Sequence, residues 1–398
     1  MQVTRVMVIQ LALSNEQKII LNHLTYSASK LWNVANYNII NGSLKPKELK
    51  TKLKDTFWYK NLHSQSSQAV LEKLQIAWEN CYKKHTKRPR FQPKDGYFPV
   101  RWKKQGIKLH GNKIRLSLSK QTKEYLKTAH SIESDYLWIG LPKNLSLKDV
   151  QEVEIKPHKI YGHTTYVMHI VYKKLIQDKE NNLTGTMAID LGITNLATIV
   201  TTNKTATIYD GRSLISKLRL FSKKKAKLQS AIVKSKHTTS KKMHYLIIKE
   251  RNYLKDYIHK VSTFIVRQAL QENIGTIVIG KLSHSRVNID IGSQNNEKLH
   301  KIPFGKLCSM IEYKAKEKGI DLTFVDEHYT SQTCSKCGVI NKSNRKYRGL
   351  YTCKCGNTLN SDVNGALNIL KRVVPSPVMD RDRGYLNNPV RVRVNSSN

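Results

Sequence analysis

The sequence is short of acid. Its 398 residues hold 29 Asp and Glu against 69 Lys and Arg, a formal net charge of +40. A globular chain so charged repels itself until a polyanion neutralises it. Nucleic acid is the favoured partner, ahead of an acidic protein or an anionic membrane surface. Also missing is any apolar run near the ~18–20 residues that a membrane span needs. Residues Met1 to Ser14 alternate apolar and polar, with Arg5 and Gln10 among them. That pattern reads as a strand, not as the apolar block of a signal peptide. No G-x-x-x-x-G-K-[ST] loop occurs, so ATP or GTP hydrolysis lacks its phosphate cradle. No pair of histidines flanks one apolar residue, which excludes a Tyr-nucleophile single-strand transposase. No internal repeat is seen. What remains is a chain with 39% hydrophobic residues, enough to build cores and too many for a disordered polycation. At roughly 150 residues per domain it forms two or three domains, expected in the cytoplasm.

The first strand covers Gln2 to Leu11. Ser14 and Gln17 have capping-box spacing, and Ile20, Leu24, Leu31 and Ala35 follow at helical intervals. Gly42 to Pro46 breaks that helix. More helix is expected over Leu49 to Asp55 and from Ser67 to Lys84. There Val70, Leu71, Leu74, Ala77 and Trp78 form one stripe, read as core packing ahead of any binding role. Lys83-Lys84-His85-Thr86-Lys87-Arg88-Pro89-Arg90-Phe91 is a basic loop. Short β-patterned pieces follow at Ile107 to Leu109, Lys113 to Leu118, Tyr136 to Ile139 and Val153 to Tyr172. A helical insertion thus interrupts a small β domain, and polar residues Lys173 to Gly185 mark a domain boundary. Beyond it, Met187 to Gly192 is an apolar strand holding one acid, and Ala197 to Thr201 is β. Residues 213–260 read as one long helix with 14 Lys and Arg against Glu250 and Asp256. That imbalance favours phosphate contact over a merely solvated face. Strand Thr276 to Gly280, helix Ile302 to Lys318, strand Leu322 to Val325 and helix Asp362 to Arg372 complete an α/β layer. The tail from 374 reads as disordered.

Four of the six cysteines fall within 22 residues, as Cys334-x2-Cys337 and Cys353-x-Cys355. Two close pairs at this separation can each bite one side of a tetrahedral zinc ion. Gly338 and Gly356 follow the pairs, where tight turns need glycine. Four thiolates make a closed, structural site. Cys81 and Cys308 sit in apolar helical stretches and read as buried thiols.

Asp190 closes an apolar strand, where an unpartnered charge is costly. Metal is the obvious partner. Asp362 opens a helix, where an ordinary N-cap is the plainer reading. Two such acids on one α/β layer can also hold Mg2+ for two-metal phosphodiester cleavage, which usually needs a third carboxylate.

Taken together, Ala188-Ile189-Asp190-Leu191-Gly192, Tyr329-Thr330-Ser331-Gln332-x-Cys334-Ser335-x-Cys337-Gly338, Cys353-x-Cys355-Gly356 and Asp362-Val363-Asn364-x-Ala366-x-Asn368-Ile369 resemble the TnpB family. These are transposon-encoded RNA-guided nucleases related to type V CRISPR effectors and Fanzors. Arg88-Pro89-Arg90-Phe91 and Gly140-Leu141-Pro142-Lys143 are weaker signals of its N-terminal half. The resemblance implies a multidomain α/β chain. A wedge strand (1–13), a helical recognition domain (14–92) and a wedge β-barrel (93–178) would precede a RuvC-like, RNase H-type nuclease (179–330). A zinc ribbon (331–358), the last nuclease segment (359–373) and the tail (374–398) would follow. It also implies a prokaryotic, nucleoid-associated protein. Its partners would be a guide RNA made from the transposon end and target double-stranded DNA beside a short flanking motif. One structural Zn2+ would sit on Cys334, Cys337, Cys353 and Cys355, and two catalytic Mg2+ on the acids.

Here the sequence departs from the common pattern. The strand that carries the family's second glutamate has Gly280 at that position. Three readings compete. Glu327 supplies the carboxylate from the neighbouring strand, as in the family's rearranged-glutamate branch. Adjacent Asp326 supplies it instead. Or the nuclease is dead and the protein is an RNA-guided transcriptional repressor. Side chains alternate along a strand, so only one of Asp326 and Glu327 can face the metals, and Glu327 is favoured. The catalytic set is then Asp190, Glu327 and Asp362. Lys83, Lys84, Lys87, Arg88, Arg90, Lys223, Lys224, Lys225 and Lys227 are the candidate nucleic-acid contacts, with Tyr82, Phe91 and Trp102 as candidate stacking residues. Two readings of other classes stand beside this one: a guide-independent zinc-containing DNA-binding protein and a strand-joining transposase.

Overall fold

The structure is a computed structural model that describes residues 2–142, 147, 149–160, 163–175, 183–281, 300–347, 349–374 and 384–394. The chain divides into two units, Met1–Ile176 and Gln177–Asn398.

In the first unit, strand β1 (Gln2–Gln10) leads into helix α1 (Asn15–Ile40). The expected capping box is present: the Gln17 amide donates to Ser14 Oγ at 3.2 Å, and the Ser14 amide to Gln17 Oε1 at 2.9 Å. Short helices α2 (Leu49–Lys52) and α3 (Phe57–Lys60) precede α4 (Ser64–Tyr82). Leu21, Leu24, Leu31 and Trp32 of α1 share a core with Val70, Leu71, Leu74 and Trp78 of α4, each burial being worth ~1.5–3 kcal/mol. The α4 stripe is therefore core. Strands β2 (Val100–Lys103), β3 (Ile107–His110) and β4 (Lys113–Ser117), helix α5 (Lys120–His130), and strands β5 (Tyr136–Gly140), β6 (Val150–Ile160) and β7 (His163–Leu175) complete the unit. They make two sheets, β1-β7-β6-β2 and β3-β4-β5, over one core. In the β3–β4–β5 meander a tight turn at Gly111, at φ +52°, joins β3 to β4. Trp102, a candidate stacking residue, is buried and donates Nε1 to Ser117 O at 2.9 Å. Lys143 lies outside the described residues.

The second unit is built on a sheet of order β12-β11-β8-β9-β10-β16. Strands β8 (Gly185–Leu191), β9 (Asn195–Thr201) and β10 (Ala206–Asp210) form an antiparallel meander. Helices α6 (Arg212–Lys234) and α7 (Lys241–Gln271) then lead to β11 (Ile274–Lys281), parallel to β8. Helix α8 (Phe304–Lys316) leads to β12 (Asp321–Asp326), parallel to β11. Parallel neighbours need such crossovers. The single helix expected over 213–260 is in fact two. Lys236 takes a left-handed turn at φ +55°, and Ser240 restarts the helix by accepting the Met243 amide at 3.1 Å. The polar run Ser235 to Ser240 competes for backbone hydrogen bonds and so favours a cap.

Strands β13 (Arg345–Tyr347), β14 (Leu350–Thr352) and β15 (Thr358–Leu359) make a small separate sheet, followed by α9 (Ser361–Lys371), α10 (Gly384–Asn387) and β16 (Val390–Val392). The tail is thus not wholly disordered. β16 adds in parallel to β10, with Leu386 and Val394 buried in two cores. Residues 375–383 and 395–398 lie outside the described set.

The two faces of the large sheet carry different cores. Met187, Ile189, Ile277 and Ile279 pack with α7 and α8. Ala188, Val278 and Val325 pack with Val363, Ala366, Leu367 and Leu370 of α9. Alternation along each strand therefore turns Asp190 and Gly280 towards α9.

Candidate active site and thiolate cluster

Strand register brings the acids together. Ile279 pairs with Ile189, and Gly280 with Val325. Asp190 and Gly280 are therefore level on neighbouring strands, and Glu327 follows Val325 by two residues on the same side. The Glu327 carboxylate fills the space above Gly280. A β-carbon on residue 280 would lie 2.5 Å from Glu327 Cγ and 2.7 Å from Cδ. Asp326 points the other way, exposed, with Oδ1 accepting the His328 amide at 3.3 Å.

Asp362 reaches the same place from the second position of α9. It does not cap the helix: Asn360 does, with Oδ1 accepting from the Asp362 and Val363 amides at 3.0 and 3.4 Å. Asp362 Oδ2 accepts from Asn195 Nδ2 at 2.6 Å. Its Oδ1 stands 3.6 Å from Arg345 of the small sheet. Gly365, one helical turn on, lets α9 approach, since a β-carbon there would sit 2.6 Å from Asp190 Oδ2.

The acids act on one another electrostatically. Loss of water, then the charges of Asp362 and Glu327, push the Asp190 carboxyl well above the usual range, with Arg345 opposing. Burial, helped by Asp326, pushes Glu327 up to about 7. Buried oxygens around the acids lack partners: Glu327 Oε1, Asn195 Oδ1, Ser361 Oγ, and Thr198 Oγ1 opposite Asp190. Orphaned acceptors beside crowded carboxylates fit divalent cations.

The four cysteines converge as the spacing predicts. Cys334 and Cys355 sulfurs are 3.7 Å apart and Cys337 and Cys353 are 3.6 Å apart, with all four within 4.8 Å of one another. The set is compatible with one zinc ion. Gly338 and Gly356 adopt φ +77° and +83°, each donating its amide to the first cysteine of its pair, at 2.9 and 3.0 Å. At Cys334, burial opposes ionisation, but the amides of Cys337 and Lys336 and the Asn357 side chain prevail and bring it down to about 6. Cys81 and Cys308 are only half-buried, against the two main cores.

Sequence reasoning missed what ties the two clusters together. Asn364 Nδ2 donates to Thr333 O at 2.8 Å and its Oδ1 accepts the Ser335 amide at 3.0 Å. Asn368 donates to Thr330 O and Thr333 O at 2.8 and 2.7 Å. Lys371 donates to Ser335 O, and Arg372 to His328 O at 2.6 Å. The signal was the i, i+4 spacing of two asparagines in an apolar helix.

Of the candidate cationic contacts, Lys83, Lys84, Lys87, Arg88, Arg90, Lys223, Lys224 and Lys227 are exposed. Lys225 is not free: it pairs with Glu250 between α6 and α7. Tyr82 and Phe91 are exposed.

Residues 169–286 match the model of a family described as a probable transposase, and 304–369 match the Cas12f1-like TNB domain. TnpB-like protein MJ0751 of Methanocaldococcus jannaschii is 28% identical over 299 residues, 73% of this chain and 99% of its own. The putative RNA-guided DNA endonuclease InsQ of Escherichia coli is 24% identical, covering 79% of this chain and 76% of its own. CRISPR-associated endodeoxyribonuclease Cas12f1 of Sulfoacidibacillus thermotolerans is 40% identical over 112 residues, only 25% of its length. The fold is like that of a Cas12f1 solved with guide RNA and target DNA, at TM-score 0.62 and 17% identity over 90% of this chain and 83% of that one. Fold and matches define a class, the transposase-type proteins that carry a TNB domain. The chain is similar to proteins named TnpB-like, to a putative RNA-guided DNA endonuclease and to Cas12f nucleases.

Proposed function

We propose that this chain is an RNA-guided DNA endonuclease. A guide RNA made from a transposon end directs it to double-stranded DNA beside a short flanking motif. There Asp190, Glu327 and Asp362 hold two Mg2+ for phosphodiester hydrolysis. The approach of Glu327 and of helix-borne Asp362 to Asp190 at one face of the sheet, beside buried oxygens without partners, carries the reading. The bound ions would supply an activated water and charge stabilisation at the leaving 3′ oxygen. The chain's own residues do the rest. Asp190 is fixed by a central strand. Glu327 takes the space that Gly280 leaves open, which favours it over outward-facing Asp326. Asn195 orients Asp362 through Oδ2.

Units 1–13 and 93–178 act as the wedge, 14–92 as the recognition domain, and 179–330 with 359–373 as the RuvC-like nuclease around a zinc ribbon at 331–358. Base pairing between guide and target reads sequence, while the protein reads duplex shape, phosphates and the flanking motif. The named activities of InsQ and Cas12f1 support the same reading.

The test is to purify the chain with co-expressed transposon-end RNA and offer a plasmid library with Mg2+. Asp190→Ala should abolish cutting and spare binding. Cutting by Glu327→Ala at the wild-type rate would remove Glu327 from the site and bring forward Asp326. Guided binding by the wild type without cutting would make the protein a repressor, a reading that glycine at 280 favours.

A further inference from the structure

The basic loop is not a loose loop. From Pro89 to Phe98 the chain runs back along α1, and α1 side chains hold its backbone. Asn36 Nδ2 donates to Pro89 O at 3.2 Å and Trp32 Nε1 to Arg90 O at 3.0 Å. Asn33 grips Gln92 twice: Nδ2 donates to Gln92 O at 2.9 Å, and the Gln92 amide donates to Asn33 Oδ1 at 2.7 Å. Lys30 donates to Lys94 O at 2.8 Å, and the Phe98 amide to Thr25 O at 2.9 Å. Asn36 is itself held by Trp78 Nε1 at 2.9 Å, and the Arg88 guanidinium stands over the Trp78 ring at 5.4 Å. Pro89 and Pro93 add fixed φ angles and restrict Arg88 and Gln92 before them.

This strap presents cation with almost nothing to neutralise it. Residues 83–98 hold Lys83, Lys84, Lys87, Arg88, Arg90 and Lys94 against Asp95 alone. Among the described residues, Lys83, Lys84, Lys87, Arg88 and Arg90 are exposed and in no ion pair, and Phe91 is exposed beside them. A fold that spends α1 side chains on fixing such a segment lowers the entropy lost when a ligand engages it.

We propose that 88–94 is a preorganised strap for a nucleic-acid phosphate backbone, with Asn33 a positioning residue that holds Arg88 and Arg90 ready. The proposal rests on the nucleic-acid reading above but not on cleavage. Binding of the full chain to an RNA hairpin and to a DNA duplex of matched length is measured from 50 to 400 mM salt, with trypsin cutting after Lys87 and Arg90 followed in parallel. Arg88→Gln with Arg90→Gln should lower the salt slope by about 1.4 to 1.8. Asn33→Ala should hasten trypsin cutting and weaken binding about threefold to tenfold, with the slope unchanged, because no cation is lost. Asn33→Asp, which keeps the acceptor for the Gln92 amide, should recover part of both. The arm with the larger change names RNA or DNA as the occupant. An unchanged slope in the double arginine variant overturns the contact. Faster trypsin cutting by Asn33→Ala with unchanged affinity overturns the preorganisation. Failure of cleavage alone touches neither result.

Discussion

The second unit holds two clusters of ionisable side chains, one compatible with zinc and one proposed for Mg2+, and they are opposites. The thiolate cluster closes on itself: four sulfurs within 4.8 Å, glycine turns after each pair, and amides that draw on the sulfurs. The carboxylate cluster stays open. Its acids come from three distant segments, Glu327 Oε1 and several neighbouring oxygens lack partners, and Asp190 and Glu327 hold their protons too tightly. A site meant to keep one ion satisfies itself in advance. A site meant to act on a substrate leaves its demands unmet, at some cost to the fold.

The comparison breaks most visibly with metal removal. Stripping zinc with a chelator, or Cys353→Ser, should unfold residues 331–358, because zinc binding is folding energy of the order of ~10 kcal/mol. Protease mapping and sulfur–metal charge-transfer spectra of a cobalt-substituted sample read it. Magnesium removal should lower the melting temperature only slightly. Gly280→Ala probes the open cluster next. Its β-carbon displaces the Glu327 carboxylate, so guided cleavage should fall about a hundredfold with target binding intact. Asn364→Ala should cost ~1–3 kcal/mol in stability by stranding the Ser335 amide, as denaturant titration would report. The smallest effect is in pH. Glu327 binds its proton more tightly folded, at about 7, than unfolded. Its share of the metal-free fold's stability is therefore lost as pH rises from about 4.5 to 7, by ~1–2 kcal/mol after a discount for partial exposure, and Asp190, also raised, adds a loss of the same sign. Glu327→Gln should flatten that slope.

These contrasts explain what was legible. Cysteine spacing is a local pattern, so the thiolate site could be read directly. The α4 stripe, the capping box at Ser14 and the α/β alternation are local too. The Asp190–Glu327–Asp362 meeting depends on register between β8, β11 and β12, which no local window contains; family resemblance and alternation stood in for it. Asn195 and Arg345 escaped because nothing near them in sequence marks a contact 167 residues away for the first or an ion pair across a ribbon for the second. The turn at Lys236 was hidden because lysines flank it on both sides. The tail strand Val390–Val392 was hidden because three residues carry too little pattern.

The space above residue 280 also has a historical consequence. A β-carbon there and the Glu327 carboxylate as seated here exclude each other. A lineage moving its glutamate from one strand to the next could not first duplicate the function and then discard the old copy. Residue 280 had to shrink before, or together with, the arrival of Glu327 in its present seat.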